Sequence, residues 1–158
     1  MTAVLRQSLG MKIYVASSWR NHLQAGVVAA LREMGHTVYD FRHPPQGAGF
    51  GWKQIDKDWQ SWTPSRWLEA LAHPLAVAGF KSDMDALKWA DACVLVMPCG
   101  KSAHLEFGYA VGAGKKTVYF QMEKAEPELM AKMADHIVTD FDALLDVFEP
   151  EEESEATP

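Results

Sequence analysis

Glu106 stands on a helical line of small residues, Ala103, Ala110 and Ala113, rather than among polar ones. Small side chains let a helix lie close to its neighbours, so a carboxylate on that line is expected to be partly buried. It follows the apolar run Cys93 to Met97, closed by Pro98 and Gly100. That places it near the carboxyl end of a strand, where open α/β sheets bind ligands. A buried carboxyl in such a crevice is a candidate functional group; the alternative is an exposed glutamate on a solvent face. Just before it, Cys99-Gly100-Lys101-Ser102 resembles the end of a phosphate loop. The full pattern needs a glycine where Leu95 stands, so a true nucleotide-triphosphate loop is excluded. A lysine, a serine and helix-terminal amides either cradle a single phosphate or form a polar turn with an N-cap. His104-Leu-Glu106 has the spacing of a zinc deaminase motif. The Pro-Cys-x-x-Cys partner is missing downstream, and no metal or organic cofactor is called for.

The elements that must position these groups alternate between strand and helix. Cys93 to Met97 is an unbroken apolar run, as expected of a parallel strand covered on both faces. The helix after it carries Ala103, Phe107, Ala110 and Val111 on one stripe. Upstream, Lys12 to Ser17 reads as a first strand. A helix from about Asn21 to Met34 follows, stopped by Gly35, and Thr37 to Phe41 is a second strand. The short return favours a parallel pair with a right-handed crossover. Residues 42–62 form a long irregular segment containing Pro44-Pro45, Gly47, Gly49, Gly51, Trp52, Trp59 and Trp62. Its tryptophans argue for an ordered lid or rim. Trp19, Trp52 and Trp59 serve either as base-stacking surfaces or as a subsidiary core or subunit interface.

Thr63-Pro64 opens a helix that Pro74 should kink or break near His73, with a second piece from about Phe80 to Trp89. After the Glu106 helix, Thr117 to Gln121 is a fourth strand, Pro127 to Met133 a short helix and His136 to Thr139 a fifth strand. Thr139 with Asp142 resembles a capping box opening a last helix through Phe148. Five alternating strands predict an α/β fold: a flavodoxin-like doubly wound parallel sheet, order 2-1-3-4-5, with helices on both faces.

The chain has 158 residues, of which 48% are hydrophobic, enough for one domain with its own core. The expected division is an N-terminal extension over 1–11, one domain over 12–148 and an acidic disordered tail over 149–158. The formal charge of −6 is concentrated in that tail, where Glu149, Glu151, Glu152, Glu153 and Glu155 lie without a base. The body is nearly neutral, which argues against a nucleic-acid polymer as partner. No apolar run is long enough to span a membrane and no signal segment is evident. Cys93 and Cys99 suggest no disulfide framework, and a cytoplasmic compartment is expected.

Three separated pieces share one resemblance. They are Ile13-Tyr14-Val-Ala-Ser-Ser-Trp19, the run from Asp83 through Trp89-Ala-Asp-Ala-Cys93, and Ser102-Ala-His-Leu-Glu106-Phe-Gly108-Tyr-Ala. Together, over roughly residues 12–122, they resemble the nucleoside 2-deoxyribosyltransferases and their relatives, the nucleoside 5′-monophosphate N-glycosidases. The resemblance implies a flavodoxin-like sheet, a small-molecule nucleoside or nucleotide as substrate, and a homo-oligomer. It implies that Glu106 attacks C1′ of the sugar, that Tyr14 orients Glu106, and that Asp83 contacts the leaving base and helps protonate it. The transferases usually carry a base-binding aspartate where this chain has Gly100-Lys101-Ser102, and their C-terminal asparagine has no counterpart in the acidic tail. Lys101, Ser102 and Arg20 suit a phosphate instead, which favours hydrolysis of a nucleoside 5′-monophosphate. Ser17, Trp19, Arg20, Gly100, Lys101 and Ser102 form the expected substrate-binding set. The two other readings are deoxyribosyl transfer between bases and a non-catalytic nucleotide-binding or sensor module.

Overall fold

The structure is a computed structural model that describes residues 10–151. Residues 1–9 of the expected N-terminal extension and 152–158 of the expected acidic tail lie outside the described residues. Five parallel strands form one sheet in the order β2-β1-β3-β4-β5. They are β1 (Lys12–Ala16), β2 (Thr37–Asp40), β3 (Ala92–Val96), β4 (Lys116–Phe120) and β5 (His136–Val138). The expected flavodoxin-like, doubly wound order is the observed one.

Side chains alternate along each strand, and the two faces fill from different helices. Ile13, Val15, Val94, Val96, Val118 and Phe120 pack with Val27, Val28 and Leu31 of α1 (Gln24–Glu33) and Leu144 of α5 (Phe141–Asp146). On the other face, Tyr14, Ala16, Tyr39, Cys93, Leu95 and Tyr119 meet α3 (Pro74–Trp89) and α4 (Lys101–Gly112). Complete burial of residues such as Ile13, Leu31 and Phe120 contributes about 1.5–3 kcal/mol each. The chain leaves β1 towards β2 on one side and later returns as β3 on the other. The crevice above β1 and β3 is therefore the topological switch point.

Several boundaries differ from the sequence reading for local reasons. The expected break near His73 is observed, and Pro74 starts the next helix. The short α2 (Pro64–Leu71) ends first, His73 accepts the Leu75 amide at 3.1 Å, and Pro74 is the first residue of α3. α3 thus begins six residues before the expected Phe80, because its start needs no donor from proline. Thr63 does cap α2, accepting the Arg66 amide. Asp140, not Thr139, caps α5 through the Ala143 amide at 2.8 Å. The expected helix over 127–133 is a 3-10 segment, Leu129–Met133. α1 starts at Gln24 because Asn21 Oδ1 accepts the Leu23 and Gln24 amides, at 2.7 and 2.9 Å. Gly35 has φ of +92°, as its helix-ending place requires. Met11, placed in the extension by the sequence, packs against the α1–α5 core.

The tryptophan-rich segment is ordered and contains two 3-10 turns, Trp52–Gln54 and Trp59–Ser61. Its aromatic rings pack largely on one another. Trp52 meets Phe50 and Trp62 edge-on, and Trp62 Nε1 donates to Asp56 at 2.7 Å. That is a subsidiary core. The segment is docked on α3 through Phe50, which lies over Gly79. A Cβ at Gly79 would sit 2.7 Å from the Phe50 Cβ. In a free helix, Gly79→Ala would gain about 1 kcal/mol. Here it must push Phe50 away. The variant should loosen residues 42–62 in hydrogen exchange while leaving amides of β1 and β3 protected. Unchanged exchange in the segment would contradict this docking.

Candidate active site

The site begins with register. Tyr14 and Tyr39 are Cα partners on adjacent parallel strands, so their side chains leave the sheet on the same face. Their rings stack with centroids 5.1 Å apart and planes 21° from parallel. α3 lies over this face and brings Asp83 to Tyr39. The Tyr39 hydroxyl donates to Asp83 Oδ1 at 2.8 Å and also meets Ser82 Oγ at 3.1 Å. α4 brings Glu106 to the same place from the β3 side. Ala103, Phe107 and Ala110 bury the face of α4 that fixes its height above the sheet. Ala113, expected on the Glu106 line, is exposed beyond the end of the helix.

Glu106 is held in a low-dielectric pocket. Burial pushes its carboxyl up to about 8, and the neighbouring Asp83 charge adds to that rise. Tyr14 works in the opposite direction. Its hydroxyl has no partner at full hydrogen-bond geometry, yet it lies near enough to Glu106 to favour the carboxylate. Asp83 is itself raised by burial, with the Tyr39 hydrogen bond partly offsetting it. Two interacting buried carboxyls titrate as a pair. Burial raises both members of the pair, and Glu106 strongly. Tyr14 and Tyr39 are both pushed well above the ordinary phenol range, burial being the main cause, and stay neutral donors.

The remaining expected residues line the lips of the crevice. Ser17 Oγ donates to the Val96 carbonyl at 2.9 Å, tying the loop after β1 to the end of β3. Trp19 is half exposed, meets Phe41 edge-on and lies against Gly49. Arg20 is exposed and lines a shallow pocket with Ser18, Asn21, His22, Pro98, Cys99 and Glu123. Gly100 is the N-cap of α4 without a side-chain cap, and Lys101 and Ser102 are exposed in its first turn. The structure thus gathers Tyr14, Asp83 and Glu106 at one end of the crevice, and sets Arg20, Gly100, Lys101 and Ser102 on the two loops beside it. Cys99 is pushed up to about 12 and Cys93 higher, mainly by burial, so both stay thiols. Among the described residues, no group of three or more His, Cys, Asp or Glu is placed to hold a metal ion.

Three participants were not legible beforehand: Tyr39, Asn21 and Arg42. Tyr39 is a plain strand tyrosine until the β1–β2 register is known. Asn21 is buried, donating from Nδ2 to the carbonyls of Val96 at 3.3 Å and Pro98 at 2.9 Å while its Oδ1 starts α1. Its position before the periodic run was the only signal, and it reads as an ordinary cap.

No family model and no curated protein sequence matches the chain. Among solved structures, it resembles a 2-deoxyribosyltransferase from the psychrotolerant bacterium Bacillus psychrosaccharolyticus, with a TM-score of 0.57 and 23% sequence identity. The likeness covers 84% of this chain and 88% of that one. That protein is described as a biocatalyst for nucleoside synthesis. At this identity the likeness establishes the fold.

A carboxyl raised on folding from 4.5 to about 8 gives the native state a proton that the unfolded chain releases earlier. The associated stability is fully present below the unfolded value and is lost as pH rises through about 8. Glu106→Gln removes that loss. Its thermal stability should match wild type near pH 4 and exceed it by on the order of a few kcal/mol near pH 9. A gap that does not grow with pH would contradict the buried, raised carboxyl.

Proposed function

We propose that the chain cleaves the N-glycosidic bond of a nucleoside 5′-monophosphate or a nucleoside, with water as acceptor. The observation that carries this reading is the placement of two partly buried, interacting carboxyls, Glu106 and Asp83, at the switch-point crevice beside Tyr14 and Tyr39. A carboxylate beneath C1′ and an acid beside the leaving base are what an oxocarbenium-like transition state requires. The sequence resemblance assigns the same residues to the same roles, and the fold agrees with it.

In the first step the C1′–N bond breaks, and its electron pair leaves with the base. The base takes the proton from Asp83, while a Glu106 oxygen bonds to C1′. In the second step water attacks C1′ and the Glu106–C1′ bond breaks. Asp83 takes the water's proton, so the pair regains the single proton with which it began. The reactive arrangement has that proton on Asp83. Burial raises Glu106 strongly, so substrate must favour its ionised form. A base nitrogen accepting from Asp83 and positive charge growing over Glu106 both act in that direction. Tyr14 favours the ionised nucleophile, and Tyr39 fixes the orientation of the acid.

Arg20, Lys101 and Ser102 on the crevice loops support a phosphorylated substrate, with Ser17, Gly100 and Trp19 completing its surroundings. By the same resemblance we assign a homo-oligomer. Phe80 on α3 and Leu105 on α4, 69% and 76% exposed, supply apolar surface on the helices that cover this face. Among the described residues no helix is long and apolar enough to cross a membrane. The two cysteines are free, which accords with the cytoplasmic reading.

The test is chromatographic release of free base from a panel of nucleosides and their 5′-monophosphates, with and without an acceptor base. Wild type should release base from monophosphates in water, and Glu106→Gln should lose at least about a hundredfold in kcat. Exchange only with an acceptor present would make the chain a transferase, and thermal stabilisation without release would make it a binding module. The kcat/KM profile should be bell-shaped, falling as pH rises through about 8, where the pair loses its shared proton. Tyr39→Phe removes a donor that lowers Asp83 and should move the acid limb upward. A limb that stays in place would remove Tyr39 from the account.

A further inference from the structure

Arg42, just beyond β2, is absent from every expectation drawn from the sequence, yet it makes the densest set of contacts to the loop after β1. Its Nη2 donates to the carbonyls of Ser18 at 2.7 Å, Trp19 at 3.1 Å and Asn21 at 2.8 Å. The arginine is itself anchored, its backbone amide donating to Asp40 Oδ1 at 3.0 Å. Asp40 is buried and also receives Gln24 Nε2 at 2.8 Å, with the His43 ring at 3.0 Å from its other oxygen. Burial alone would raise that carboxyl, but these contacts outweigh it and hold it below its ordinary value.

The consequence for the loop follows from peptide geometry. In a trans peptide the carbonyl and the N–H of one unit point in opposite directions. Three carbonyls turned towards Arg42 therefore send the amides of Trp19, Arg20 and His22 away from it. Of these, Arg20 N–H returns to Ser18 Oγ at 3.2 Å. Arg20 and His22 belong to the pocket that Pro98 and Cys99 close from the β3 side. Ser17 and Asn21 pin the opposite edge of the loop to Val96 and Pro98. The loop is thus stretched between a cation on the β2 side and the end of β3. Glu123, paired with His22 at 2.7 Å, and Lys101 are the other charged groups at its mouth.

We propose that Arg42 is the positioning residue of the phosphate-bearing lip. It touches no substrate; it holds the 18–22 backbone so that the Trp19 and His22 amides and the Arg20 side chain are left to face an anion. This rests on the reading of the substrate as a phosphorylated nucleoside. All three contacts come from one nitrogen, so a lysine keeps the charge and the donors but loses the rigid planar group that fixes where that nitrogen sits.

The experiment is calorimetric binding of a nucleoside 5′-monophosphate and of the same nucleoside, for the whole panel. It uses Glu106→Gln alone and combined with Arg42→Lys or Arg42→Gln, and base release is followed separately in wild type. Removing Arg42 should cut the advantage of monophosphate over nucleoside by roughly tenfold or more with Gln and severalfold with Lys, leaving nucleoside affinity within about threefold. A merely structural role would weaken both compounds equally, or lower only the active fraction. If the Gln variant does not fold, the Lys variant, which keeps the charge, carries the comparison. An unchanged advantage in either folded variant overturns the proposal, as does a parent without any preference for the phosphate. A collapsed advantage with no base release from any compound would uphold the role of Arg42 and overturn the catalytic reading instead.

Discussion

Two carboxyls confined near each other and away from water set the terms for the rest of this structure. Glu106 cannot be lowered to an ordinary carboxylate value while Asp83 faces it and α4 seals it against the sheet. The cost is accepted because the neighbouring packing leaves no alternative. Ala103, Phe107 and Ala110 fix α4 on β3 and β4, and Ala86, Leu87 and Ala90 fix α3 on the same face. Neither helix can withdraw its carboxyl without opening that core. The pair is thus a local destabilisation paid for by burial elsewhere, the usual relation between a scaffold and a reactive site.

The two tyrosines show how the sheet itself contributes. Tyr14 and Tyr39 stack because parallel register sets them side by side, and each faces one of the carboxyls. Burial keeps both hydroxyls protonated, so each has a hydrogen to offer a carboxyl. One favours the ionised form of Glu106, and the other lowers Asp83 without fully reversing its burial. The strands thereby tune from below what the helices position from above. The loops after β1 and β3 form the remaining walls; Asn21 ties one to the other, and Arg42 holds the first from the β2 side.

Much of this was legible in the chain. The strand order followed from alternating periods and short returns, and Glu106 stood out as a carboxylate on a line of small residues. Tyr14 and Asp83 came from resemblance rather than from pattern, since each alone is an unremarkable strand or helix residue. What could not be read was everything that depends on register or on distant partners. Tyr39 is meaningful only opposite Tyr14, and Arg42 only once the β1 loop is folded back against it. Pro74 breaks the helix near His73 as its chemistry dictates, but the second piece starts at Pro74 itself rather than at Phe80, because the His73 side chain caps it. The tryptophans of residues 42–62 had two readings, and for Trp52 and Trp62 the contacts favour a subsidiary core.

The most direct test of the account is the titration of Glu106 itself, followed by carbon NMR on protein labelled at the glutamate side-chain carboxyls and assigned with Glu106→Gln. The account predicts a carboxyl titrating near 8 in wild type, and at lower pH in Asp83→Asn, where the facing charge is gone. A Glu106 that titrates in the ordinary glutamate range, indifferent to Asp83, would contradict the coupled pair and the mechanism built on it.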